Sequence, residues 1–72
     1  MGSVQTKAMT YIQAYFDGNA VLYTDLDDGQ MQLTRVTCTL KDGRQATYET
    51  VSKEDARFEW RVNAARGWKR FN

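Results

Sequence analysis

Polar and apolar positions alternate through the middle of the chain. In "RQATYETV" (44–51) they trade places residue by residue, with Ala46 and Tyr48 on one side. "AVLYTDL" (20–26) and "MQLTRVTCTL" (31–40) are rich in Val, Leu, Thr and Tyr, which favour extended backbone. Three Asp-Gly pairs punctuate these runs: Asp17-Gly18, Asp28-Gly29 and Asp42-Gly43. Asp-Gly suits tight hairpins, because Gly tolerates positive φ and Asp hydrogen-bonds its own backbone. The pattern predicts a three-stranded antiparallel meander. In its middle strand, Val36, Cys38 and Leu40 are expected to face the core, with Arg35, Thr37 and Thr39 turned away.

The flanking segments carry a different period. Over 4–16, Val4, Ala8, Tyr11, Ile12 and Tyr15 fall on one side at helical spacing, with Met9 and Phe16 flanking. Thr6, Thr10, Gln13 and Asp17 fall opposite, and Gly18 would end the helix. The same stretch read as a strand is apolar on both faces. Asp17-Gly18 would then turn a hairpin and give a four-stranded meander.

After Val51 the signals point to a second helix. Ser52 precedes Glu54 and Asp55, which places a capping hydroxyl and two anions where orphan N–H groups and the positive dipole end want them. Arg61 and Arg66 fall toward the other end, Gly67 sits where a left-handed cap belongs, and Trp68 follows it. "RFEWRVN" (57–63) also alternates cleanly, which leaves a mainly β alternative. Agreement of cap, charge order and stop signal favours the helix. That helix has two apolar stripes, Ala56/Trp60/Ala64 and Phe58/Val62/Ala65, and the second must meet the first helix or a partner. The expected fold is therefore α+β, in the order α-β-β-β-α, with both helices on one face of the sheet.

The chain has 72 residues, enough for one small domain, here 4–72, with Met1–Ser3 read as a cloning remnant rather than a myristoylation signal. At 42% apolar and 26% charged, with no proline, the composition is globular. A domain of this size buries only about 60% of its unfolded surface, so each large apolar residue counts. One cysteine, Cys38, allows no internal disulfide; with no secretion signal this suggests a reducing, cytoplasmic home and a buried thiol. No apolar run approaches the ~20 residues of a membrane span.

Charge is uneven. Residues 1–56 carry five cations against eight anions; residues 57–72 carry five cations against Glu59 alone. The chain thus has an acidic middle, centred on Asp25, Asp27 and Asp28, and a basic end.

Catalytic chemistry finds little to work with. There is no histidine, so the commonest acid–base group near neutral pH is missing, and with it the Ser–His–Asp and Cys–His sets. "TDLDDG" (24–29) clusters three aspartates in a turn, but an EF-hand register with Gly29 sixth puts Leu26 third and Arg35 twelfth, which are not ligands. One Cys and no His exclude a structural zinc site, and the glycines form no phosphate-binding fingerprint. No cofactor or metal is expected.

The basic end is the strongest candidate surface. Arg61, Arg66, Trp68, Lys69, Arg70 and Phe71 combine cations with aromatics, the composition of a nucleic-acid contact or of a protein hot spot. As a structural reading, the cations complement a helix dipole and the aromatics fold back as core. The α-β-β-β-α order resembles that of double-stranded-RNA-binding domains, and Ser52, Lys53, Ala56 and Arg57 match the opening of their second helix. Glu54 stands where that family has a phosphate-binding lysine, and the chain is not assigned to it. The expectation is a small non-enzymatic module acting on a larger protein, such as an inhibitor or adaptor encoded by a phage or mobile element. Contacts are expected through the basic end or the acidic patch Asp25, Asp27 and Asp28. The alternative is a nucleic-acid-binding module using Arg61, Arg66, Lys69 and Arg70; self-association is the further variant.

Overall fold

The computed structural model describes residues 9–39 and 43–72. Five strands and one helix follow in the order β1 (Thr10–Ala14), β2 (Ala20–Asp25), β3 (Gln30–Thr39), β4 (Gly43–Ser52), α1 (Lys53–Ala65) and β5 (Lys69–Arg70). All strand pairings are antiparallel, and the spatial order is β4-β3-β2-β1-β5. The first four strands form a meander. The helix then crosses the sheet and delivers β5 to the far side of β1.

The α+β class is as expected, and the arrangement differs. Where a first helix was expected, residues 10–14 form a strand, and Asp17-Gly18 turns the hairpin to β2. Residues 4–8 of that expected helix lie outside the described residues. β1 is an inner strand, paired with β2 and β5, and its apolar residues lie on both of its faces. Tyr11 and Gln13 face the helix; Thr10, Ile12 and Ala14 face the other way. The strand β5 was not anticipated, because two residues are too short for any period.

The three middle strands stand where expected, but β3 is turned over. Met31 and Leu33 are the buried residues, and Arg35 lies on their side, under the helix. Val36 and Cys38 occupy the opposite face, and Cys38 is exposed rather than buried. Leu40 is outside the described residues. The apolar positions of this strand switch from odd to even numbers at Arg35, while the ladder to β4 continues without a bulge. Only one half can face the core, and the helix sits over the first half.

The helix starts and stops on its sequence signals, which excludes the strand alternative for 57–63. The Asp55 N–H donates to Ser52 Oγ at 3.1 Å. At the other end the Gly67 N–H donates to Ala64 O and the Trp68 N–H to Asn63 O, the paired bonds of a Schellman ending, with Gly67 at φ 103°. Ala56, Trp60 and Asn63 face the sheet. Phe58, on the second stripe, is 68% exposed, and no other helix among the described residues stands beside it.

The core is small: Val21, Tyr23, Met31, Leu33 and Ala56, flanked by Tyr11, Val51, Trp60 and Trp68. Gly18 fixes one edge of the fold. Its φ is 93°, and a Cβ there would lie 2.9 Å from Cys38 Sγ. Gly18→Ala is expected to cost about 2 kcal/mol, part from the left-handed backbone and part from the contact. In a Cys38→Ala background that cost should fall by roughly half, as read from urea melts of the four variants in the cycle. Equal costs in both backgrounds would mean that the thiol is not a steric neighbour.

Candidate functional site

A buried polar cluster docks the helix on the sheet. Gln13, 1% exposed, accepts from the Tyr23 hydroxyl at 2.7 Å and from Asn63 Nδ2 at 3.1 Å, both at its Oε1. Its Nε2 donates to the Trp60 carbonyl at 2.9 Å. Among the described residues no buried side-chain polar atom lacks a partner. Burial, reinforced by the nearby Glu59 charge, pushes the Tyr23 phenol up to about 12. Beside this cluster Arg35 grips Glu59 of the helix with both terminal nitrogens and reaches Glu49 of β4 at 3.0 Å. The Glu59 carboxylate is the main reason its guanidinium holds its proton even more firmly than usual. These groups are structural: they fix the helix and leave the rest of the surface free to differ.

The opposite face of the sheet is open; among the described residues no helix or strand packs over it. The strand pairings place its side chains in rows. Ile12 faces Leu22, Leu22 faces Thr34, and Thr34 faces Tyr48, while the Phe71 N–H bonds Ile12 O and brings Phe71 to the other end of that row. The next row is Lys69, Ala14, Ala20, Val36 and Ala46. A third, polar row is Thr10, Thr24, Gln32 and Thr50. No strand among the described residues places an Asp or Glu on this face. Its cations are Lys69 at one margin and Arg44, opposite Cys38, at another.

The residues expected to bind a partner are scattered by this geometry. Asp25, Asp27 and Asp28 build the β2–β3 turn: Asp25 Oδ1 accepts from the Asp27 N–H at 2.9 Å and Asp28 Oδ1 from the Gln30 N–H at 3.0 Å. Asp27 itself is left-handed, at φ 66°. The Asp27 N–H, and behind it the Lys53 ammonium at 3.3 Å, hold the Asp25 carboxyl below its ordinary value. Trp68 is half-buried, packs against the core and stacks on Tyr15 at 5.8 Å. Lys69 and Arg70, adjacent in a strand, point to opposite faces of the sheet. Arg61 and Arg66 are exposed on and just beyond the helix.

The helix and the sheet also part to leave a cleft of about 360 Å³. Tyr23, Met31 and Ala56 form its floor, and Tyr11 and Trp60 flank it. Arg57 and Arg70 stand at its rim, with the Asp25–Lys53 ion pair at one end. Tyr11, Lys53 and Arg57 were not foreseen as site residues. Tyr11 is far in sequence from Lys53 and Arg57, and only the crossover that carries β5 beside β1 brings Arg70 to the helix. Comparisons with family models, with curated proteins and with solved structures each find no match to this chain. Among the described residues no group of three or more His, Cys, Asp or Glu side chains could hold a metal ion, and no helix is long and apolar enough to cross a membrane.

Proposed function

We propose that this chain is a small non-enzymatic binding module that engages a larger protein through its open sheet face, as a regulator or adaptor does. The observation that carries this reading is the pair of apolar rows running through Ile12, Leu22, Val36 and Ala46, which no second layer among the described residues covers. Full burial of each large aliphatic side chain contributes about 1.5–3 kcal/mol, so the face is a ready source of association energy. Charge selects the kind of partner. Two copies packed face to face would bring Lys69 and Arg44 together with no Asp or Glu of the described strands to meet them, so the fitting partner is a different molecule with an apolar centre and an acidic rim.

A nucleic acid fits this face less well. It needs cations along its backbone path and rings to stack on. Here the cations of the described strands, Lys69 and Arg44, sit at the margins, and the aromatics are Tyr48 on β4 and Phe71 just beyond β5, with Ile12 and Leu22 between them.

A photo-crosslinking residue placed at Tyr48 reads the open face, and one placed at Phe58 reads the helix side. In an extract of cells that make the protein, position 48 is expected to yield a discrete protein adduct that Leu22→Lys abolishes, with position 58 giving none. No adduct, or one indifferent to Leu22, would remove the reading. An adduct sensitive to nuclease would transfer the face to nucleic acid. Light scattering is expected to give a monomer.

A further inference from the structure

We infer that the cleft between α1 and the β1–β2–β3 floor is a separate binding site for a small aromatic anion, of the class of a nucleoside monophosphate. The cleft lies on the helix side of the sheet, so it is independent of the open face. Its volume, about 360 Å³, is at the lower end of the range for small-molecule sites and suits one ring system with a short charged arm.

The cations at its rim are in unequal states. Lys53 is neutralised by Asp25 at 3.3 Å. Arg57 has no Asp or Glu partner among the described residues, and neither has Arg70. The Arg70 Nε donates to the Asn72 backbone oxygen at 2.7 Å, which orients that guanidinium and leaves its two terminal nitrogens to donate elsewhere. The two groups come from different elements, one from the helix and one from β5. Both line the same cleft, and a tetrahedral oxyanion can accept from two guanidinium forks at once. A monoanion would satisfy only one; a phosphate dianion matches both.

The interior asks for a ring. Trp60 packs edge-on against Tyr23 at a centroid distance of 5.1 Å and an interplanar angle of 64°, and is itself half-buried at the cleft. Tyr11 lines the β1 side. Between these rings and the apolar floor a planar heterocycle replaces water without stranding a polar group. The paired Asp25 carboxylate and Lys53 ammonium, which also line the cleft, offer an acceptor and a donor to a base edge.

The test uses the whole chain and four probes: adenosine monophosphate, adenosine, inorganic phosphate and benzoate. Binding is followed by calorimetry and by amide and indole NMR shifts. Saturable binding of adenosine monophosphate is expected, with the Trp60 indole moving and the Trp68 indole, outside the cleft, unmoved. Arg57→Gln and Arg70→Gln should each weaken binding about tenfold, as loss of one charged hydrogen bond does. Arg61→Gln, exposed and outside the cleft, should leave it unchanged. Both arginines are exposed, so the variants should fold, and circular dichroism checks this. Binding of adenosine or phosphate as tight as that of the nucleotide overturns the proposal, as does preference for benzoate. So do titrations with no saturation at millimolar ligand, or variants that bind like the parent.

Discussion

Gln13→Ala is expected to lower the free energy of unfolding by about 3 kcal/mol. The change removes the acceptor shared by the Tyr23 hydroxyl and Asn63 Nδ2, deletes the bond to the Trp60 carbonyl, and opens a void in the core. A chain of this length has a total stability of roughly 4–10 kcal/mol, so the variant should be substantially unfolded well before the parent in a urea titration. Tyr23→Phe is the matched control. It removes one hydroxyl, but Gln13 Oε1 still accepts from Asn63, so the loss should be nearer 1 kcal/mol. A Gln13→Ala loss below that of Tyr23→Phe would mean that the cluster fills space and does not lock the helix.

Alkaline pH should unfold the protein through the same hydroxyl. The phenol of Tyr23 is raised from 10.0 to about 12 in the fold, chiefly by burial. Between those values the unfolded chain gives up this proton and the folded chain keeps it, so stability falls as pH rises. The contribution is fully present below about pH 10 and is lost by about pH 12. The loss across this window amounts to roughly 2–3 kcal/mol, since each unit of pKa corresponds to about 1.4 kcal/mol, and it is the cost of ionising a buried phenol rather than the worth of its hydrogen bond. Urea midpoints measured between pH 9 and pH 11.5 should therefore slope downward more steeply for the parent than for Tyr23→Phe. Parallel slopes would show that the hydroxyl titrates freely in the fold.

Local signals carried the parts of this fold that are local. Asp-Gly turns and alternation placed the meander, and the Ser52 cap with the Gly67 stop placed the helix. The first segment failed because its decisive residue looks polar. In the helical reading Gln13 belongs to the wet side, yet its partners stand 10 and 50 positions away, and only they make its burial tolerable. The phase of β3 failed for a related reason. Its Val36–Cys38 half has the stronger alternation, but the helix covers Met31 and Leu33, a choice made by the crossover and not by the strand. The same holds for the surfaces. Charge counting found the cations at the basic end, but strand alternation sends Lys69 to the open face and Arg70 to the cleft that Arg57 and Trp60 also line.

The placement of β5 has a kinetic consequence. Asn72 Oδ1 accepts from the Ile12 N–H across 60 positions of chain, and the Phe71 N–H reaches Ile12 O. Closing a loop of that length costs roughly 3.5 kcal/mol of chain entropy before any contact repays it. The hairpins need only short loops, so the meander can zip first and the helix can settle on it. Docking of the helix closes most of that distance and should be the slow step of folding, on the millisecond-to-second scale usual for sheets dominated by distant pairings, with β5, a short turn beyond the helix, following it.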